Sequence, residues 1–338
     1  MKDGETLAPE SYTKSARLQS RTVDDFIDPG RVLGHFAEGA TIVFQALHRH
    51  WEPLSRFCRE LELTFTHPVQ VNVYLTPPSS RGLDVHYDTH DVFVLQVSGT
   101  KHWEVYGRAL DLPLAHQRRR GKYPNPGVPQ IDVELKPGDC LYVPRGFLHG
   151  AETNALESTH MTIGILSYTW MDVMKVAMEH ASDEVFLRDA LPTGFAYSPG
   201  DAADAARDKL SAFARWLADL DPEALTSRVA ERFWSSRAPV LTGQLQQVLD
   251  LDTLGDESLV RRRRGTVWRM RVDPDEVVLV LGDRRVHLPA RVAPALQHMF
   301  EREELEVIEL SEHLDASGRR VLVRRLILEG LFEQVQGG

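Results

Sequence analysis

The sequence predicts an α+β protein: an antiparallel β-barrel or jelly roll, then a helical region, then a smaller mixed module. Three observations carry this. Apolar and polar residues alternate over residues 70–75 (QVNVYL), 91–97 (DVFVLQV) and 102–106 (HWEVY), the period of half-buried strands. Pro77-Pro78-Ser79-Ser80, Ser98-Gly99-Thr100 and Pro137-Gly138-Asp139 punctuate these runs, and short strands divided by such turns suit a barrel or jelly roll. After about Trp170 helical spacing returns, and from Thr266 it gives way to strand-like VWRMRV and VVLVLG among further helical pieces.

Residues 1–27 are polar and read as an N-terminal arm. Asp28-Pro29 is a helix start, and residues 53–61 (PLSRFCREL) carry apolar positions three and four apart. The barrel domain is set at 28–170 and a helical domain at 171–250. Within the latter, residues 204–220 place Leu210, Phe213, Trp216, Leu217 and Leu220 on one face, an apolar stripe that reads as core or subunit interface. Pro222 lies just inside the next helix, which runs to about Ser235, and 239–250 hold a shorter one. Residues 251–338 form the last domain: the strand pair, a helix from Pro289 to Phe300, and helical pieces at 310–314 and 321–331, a winged-helix-like pattern. Trp103, Tyr106 and Trp170 read as core aromatics.

Composition narrows the function. Two cysteines, Cys58 and Cys140, make neither a disulfide framework nor a CxxC motif, which fits a reducing cytoplasm. No apolar run approaches the roughly 18 residues that span a bilayer. The net charge of −10 argues against a protein that coats nucleic acid. The basic runs Arg118-Arg119-Arg120 and Arg261 through Arg264 read as solvated loop faces. Acidic Glu301, Glu303, Glu304, Glu306 and Glu309 crowd the last helices and disfavour phosphate contact there.

The chemistry is concentrated in Asp84-Val85-His86-Tyr87-Asp88. Side chains two apart on a strand share a face, so His86 and Asp88 can grip one ion. A third ligand must come from elsewhere, and residues 136–150 (KPGDCLYVPRGFLHG) offer His149 after a turn, the strand Cys140–Val143 and a second turn. Two histidines and one carboxylate form a facial triad, leaving three positions of octahedral Fe(II) open. A bidentate 2-oxoacid takes two and dioxygen (O2) the third, whereas a closed four-ligand zinc site would have no such room. His90, His102 and His160 read as histidines satisfying core hydrogen bonds.

Residues 71–106 (VNVYLTPPSSRGLDVHYDTHDVFVLQVSGTKHWEVY) resemble the JmjC-type ribosomal oxygenases, cupin-fold 2-oxoglutarate-dependent protein hydroxylases. The resemblance runs from about Asp28 to Trp170 and continues, with fewer recognisable residues, through a region that mediates dimerisation in that family and into a C-terminal winged-helix domain. It implies a double-stranded β-helix, iron, 2-oxoglutarate as cosubstrate, a homodimer, and a histidyl or arginyl side chain of a ribosomal protein as substrate. It assigns His86, Asp88 and His149 as iron ligands and Lys101 as partner of the distal carboxylate of 2-oxoglutarate, a role that suits a buried cation. Asn72 and Tyr74 share a strand face and match positions lining the substrate or cosubstrate pocket, where an amide and a phenol would orient the substrate by hydrogen bonds. Thr76 would add a hydroxyl near the cosubstrate, and Thr162, in HMTIG, would face the pocket. Two departures stand out: eukaryotic members carry serine where Gly164 stands, and the family has more chain before the barrel than residues 1–27 supply. A small-metabolite hydroxylase, a methyl-lysine demethylase and a non-catalytic cupin regulator that binds DNA are the competing expectations.

Overall fold

The computed structural model describes residues 1–118, 123, 125–197, 200–237, 239–282 and 284–335, in two units, 1–167 and 168–338. In the first unit, β1 (Thr13–Leu18) and β2 (Arg21–Ile27) form an antiparallel hairpin where the polar sequence suggested a free arm. β2 is exposed along nearly all its length, so no alternation of burial betrays it in the sequence. Helix α1 (Pro29–Ala37) starts where Asp28 accepts the backbone N–H groups of Gly30 and Arg31 at 3.0 and 3.3 Å. Proline costs nothing there, because its missing donor would have had no partner in the first turn. Strand β3 (Ile42–Phe44) and helix α2 (Glu52–Phe65) complete the lead-in.

Seven further strands build the barrel: β4 (Val69–Thr76), β5 (Asp91–Gly99), β6 (Lys101–Arg108), β7 (Ile131–Leu135), β8 (Cys140–Val143), β9 (Phe147–Glu152) and β10 (Ser158–Ile165). They lie in a five-stranded sheet ordered β3-β4-β10-β5-β8 and a three-stranded sheet ordered β7-β6-β9, with every pairing antiparallel. This is a jelly roll. Alternation sorts the large sheet into two faces. Val69, Val71, Ile163 and Ile165 pack with Leu54 and Cys58 of α2, while Val92 and Val94 pack with Trp103, Val105, Leu135 and Leu141. Burying each such aliphatic side chain contributes about 1.5–3 kcal/mol. The remaining inward positions of β4 and β10 are polar, and they form the site.

The second unit begins with α3 (Trp170–Ala181), α4 (Asp201–Ala218), α5 (Pro222–Ser235) and α6 (Gln244–Leu249). Val176 and Ala177 of α3 pack on Leu225 of α5, with Leu217 and Leu220 against them. Trp170 is 77% exposed, so it belongs to no core: it opens α3, and its side chain stands in solvent. Leu210 of the predicted stripe is exposed as well. Six strands follow where one pair was expected: β11 (Leu259–Arg262), β12 (Trp268–Val272), β13 (Glu276–Leu281), β14 (Arg284–Pro289), β15 (Glu304–Glu306) and β16 (Phe332–Gln334). They form two sheets, β12-β13-β14 and β15-β11-β16. Pro289 ends β14 instead of opening a helix. A 3-10 turn then leads into α7 (Ala293–Phe300). Residues 310–314 fall in and just beyond a 3-10 stretch, Val307–Glu312, and α8 (Ala316–Leu328) is capped by Asp315. An aliphatic core that includes Leu279, Leu296, Met299, Leu305, Leu326 and Phe332 unites these elements. No helix among the described residues is long and apolar enough to cross a membrane.

Candidate metal centre and its cavity

His86 and His149 meet because two segments pair locally. The His86 N–H donates to the His149 carbonyl at 3.1 Å, and the reverse bond is 2.8 Å. Gly146 N–H donates to the Asp88 carbonyl at 2.9 Å, extending the same pairing. One ligand atom each from His86, Asp88 and His149 lies within 4.8 Å of the others, with His149 Nε2 3.7 Å from Asp88 Oδ2. Each imidazole is anchored through Nδ1 to a carbonyl two residues earlier, His86 to Asp84 at 2.8 Å and His149 to Phe147 at 3.0 Å. With Nδ1–H donating there, Nε2 keeps its lone pair for an ion. Burial, reinforced by His86, pushes His149 down to about 4, so its ring is neutral near pH 7. Burial would raise the Asp88 carboxyl, but His149, His86, His90 and Arg118 together hold it below its ordinary value. Two imidazole nitrogens and one carboxylate oxygen suit a divalent cation.

These residues line a cavity of about 840 Å³. Lys101, the first residue of β6, is buried and reaches it. The turn before it is held by Gln96, whose side-chain amide donates to Ser158 Oγ (2.9 Å) and to the Ser98 and Gly99 carbonyls. Gly99 has φ +62°, and a Cβ there would fall 1.8 Å from the Glu157 carbonyl oxygen, so only glycine fits. Lys101 Nζ donates to Thr76 Oγ1 at 3.0 Å and has no acidic partner among the described residues. Burial lowers its pKa to about 8. Thr76 lies behind the ammonium, also accepts from Thr41 (3.2 Å), and is not part of the cavity wall.

Asn72, Tyr74 and Thr162 do line the cavity. Asn72 faces Thr162 and Tyr74 faces His160 across the β4–β10 ladder. The Asn72 carbonyl oxygen is engaged by the Ala46 N–H at 2.9 Å, and its side chain also hydrogen-bonds the Tyr74 phenol. Burial raises the Tyr74 phenol, keeping it a donor.

The cavity also holds residues that the sequence reading set aside. His160 is 3% exposed, stacked on Tyr74 (centroids 4.8 Å, 5°) and edge-on to Trp103 at 5.4 Å. Its Nδ1 has no hydrogen-bond partner among the described residues, so it is not a satisfied core histidine. Burial, then Lys101, lowers its pKa well below normal and keeps it neutral. Its position two before Thr162 on one strand was the available signal. Trp103 is core as expected, yet it also forms cavity wall. His90 lines the cavity and fills the space beside Gly164: a Cβ at 164 would fall 2.6 Å from His90 Cδ2. Tyr87 Oη donates to the Gln117 carbonyl at 2.6 Å, and neighbouring Arg118, though exposed, also lines the cavity. Arg119 and Arg120 lie outside the described residues. His102 is a surface histidine, 3.1 Å from Asp132 and close to Glu104, whose carboxylate accepts from Tyr106 Oη.

Residues 46–173 match the JmjC domain family. Mouse Ribosomal oxygenase 2 is 38% identical over 211 residues, 59% of this chain and 45% of that protein. The Bifunctional lysine-specific demethylase and histidyl-hydroxylase NO66 of Aedes aegypti is 30% identical over 258 residues, 70% of this chain and 40% of its own length. The chain thus spans less than half the length of these curated relatives. The fold is shared with YcfD, a ribosomal oxygenase from Escherichia coli solved in complex with cobalt and succinic acid (TM-score 0.52, 19% identity, 98% of this chain and 88% of that one).

Proposed function

We propose that this chain, whose residues 46–173 form a JmjC domain, is an Fe(II)- and 2-oxoglutarate-dependent oxygenase that hydroxylates a histidyl or arginyl side chain of a ribosomal protein. Lys101 carries the reading. It is a buried ammonium with a hydroxyl for company and no acid among the described residues, in the same cavity as the His86, Asp88 and His149 cluster. Such a cation calls for an anion. A dicarboxylate that reaches the metal with one end and Lys101 with the other satisfies both.

His86 and His149 through Nε2, and Asp88 through its carboxylate, would hold the iron and leave its other positions open. Iron, 2-oxoglutarate and dioxygen supply the oxidation: 2-oxoglutarate leaves as succinate and carbon dioxide, and one oxygen atom enters a substrate C–H bond. The chain's own work is binding and orientation. Thr76 aims the Lys101 ammonium. Thr162 would offer a polar contact on the cosubstrate side, with His160 in the same wall, while the Tyr74 phenol and the Asn72 amide would orient the substrate. The ribosomal target is supported by the names of the relatives. On the exposed face of α3, Trp170, Met174 and Met178 stand four apart beside Met171, an apolar strip that supports a homodimer through the helical region. The elements from 251 onward read as a winged-helix-like module, and a cytoplasmic setting fits both the substrate and the two free cysteines.

The test is succinate formation from 2-oxoglutarate with added Fe(II) and ribosomal extract, with mass spectrometry of the ribosomal proteins. Extract-stimulated turnover and a gain of one oxygen, both lost in His86→Ala and Lys101→Ala, are expected. Iron-loaded protein that the extract does not stimulate would sink the ribosomal assignment.

A further inference from the structure

A groove of about 330 Å³ lies within the second unit between α5 and the β12-β13-β14 sheet. Its helical wall comprises Ser227, Arg228, Glu231 and Trp234, positions three and four apart on one face of α5. Its sheet wall follows from strand alternation. Arg269 and Arg271 share a face of β12, in register with Val280 and Val278 of β13, and Arg285 of β14 pairs with Val280 on the far side. Four arginines therefore line the groove over an apolar floor, with one indole at the wall. Their neutralisation is partial. Arg285 pairs with Glu231 and Arg271 with Asp273 (2.9 Å), and His287 on the same sheet contacts Glu276 (2.9 Å). Arg228 and Arg269 have no acidic partner among the described residues, although the chain as a whole carries a charge of −10.

We propose that this groove binds a single-stranded polynucleotide through its phosphates and stacked bases, without reading sequence. Guanidinium forks take phosphate oxygens in pairs, and spacing along two walls lets them follow a backbone. Trp234, only partly buried, offers a plane on which any unpaired base can stack. A duplex hides its base faces and an acidic peptide leaves the indole idle, so the combination favours a single strand. The net charge, which argues against coating nucleic acid, does not apply to a local basic groove. The inference is independent of the oxygenase chemistry.

Fluorescence anisotropy of short labelled oligouridylate and oligothymidylate with the full chain tests it, in metal-free buffer. Binding is expected with a log–log salt slope near −3, from about −0.7 for each of four phosphates engaged. Arg228→Glu with Arg269→Glu is expected to weaken binding at least about tenfold and to halve that slope. Trp234→Leu weakens it by roughly tenfold with the slope unchanged. Arg228→Gln with Arg269→Gln keeps the test open if the reversal unfolds the protein, and Arg56→Glu in the first unit leaves binding unchanged. Preference for oligouridylate points to 2′-hydroxyl contacts, and equal binding to phosphates and bases alone; both support the groove. Equal affinity in the wild type and in both arginine pairs overturns it. So does tighter binding of polyglutamate with no effect of Trp234→Leu, which would make the groove a site for an acidic protein.

Discussion

The cavity of the first unit and the core of the second are built on opposite terms. The second is packed with aliphatic and aromatic side chains, and the cations it buries have been given partners. Arg263 donates to the Thr242 carbonyl and Gln244 (2.6 and 2.7 Å) and sits 3.4 Å from Glu333, and Arg319 is paired with Asp256. The jelly roll instead lines its cavity with His86, Asp88, His149, His160, Tyr74 and Lys101, and offers Lys101 a single hydroxyl. A cation needed by the fold is neutralised by the fold. One left with an unmet charge is held for something that arrives later, and its burial is a cost to stability.

The sharpest way to break that contrast is to remove a metal ligand. His149→Ala and Asp88→Ala are expected to lower Fe(II) retention by more than about 100-fold, since even groups supporting the ligands cost 10–100-fold. Metal content after desalting measures it. In chelator the variants should melt close to wild type, because the site adds little to the apo fold. A fall of many degrees would mean that the cluster is structural.

Next in size is the cation itself. Lys101→Met should weaken 2-oxoglutarate binding by about 10- to 100-fold, the worth of a buried charge-assisted bond, while raising stability by about 1–3 kcal/mol. Arg263→Met should lower stability by about 2 kcal/mol, since its partners lose their donor. Denaturant titration of both reads the sign, and equal signs would end the comparison. The pH dependence follows. With the Lys101 pKa lowered to about 8 in the folded apo protein, the unfolded chain holds more protons between pH 8 and 10.5. Stability from this group therefore rises with pH across that window, by roughly 3 kcal/mol in total. The KM for 2-oxoglutarate should rise above pH 8 as the ammonium is lost.

A smaller effect is expected at Gly164, where His90 occupies the space a side chain would need. Gly164→Ser should cost about 1–3 kcal/mol by overpacking, and His90→Ala should restore part of it. A double-mutant cycle gives the coupling, and a value near zero would separate the two residues. Smallest is His102→Ala. The pair of half-buried His102 and exposed Asp132 should be worth under about 1 kcal/mol, and the metal bound per chain should not change.

The site was legible where its information is local. HxD on an extended segment, the turn before β8 and the alternation of β4, β5 and β6 each lie within a few residues. What escaped depends on register between distant strands. His160 enters the cavity because β10 aligns it with Tyr74, and Trp170 stands exposed because α3 begins there. The arginines show the same limit. Consecutive Arg261, Arg262 and Arg263 look like a basic patch, yet they bind Glu333, the Phe300 carbonyl and the Thr242 carbonyl. The groove is assembled from Arg228, Arg269, Arg271 and Arg285, which form no run at all.

The order β3-β4-β10-β5-β8 also bears on how the protein is made. The strand at the centre of the large sheet is the last of the barrel to leave the ribosome. Until residue 165 has emerged, β4 and β5 each keep an open edge, and at about 5–20 residues per second that interval lasts seconds. Strand edges left open recruit one another. Truncation before β10 should therefore yield aggregate instead of a smaller barrel, and early growth of the nascent chain is when the fold is most in need of a chaperone.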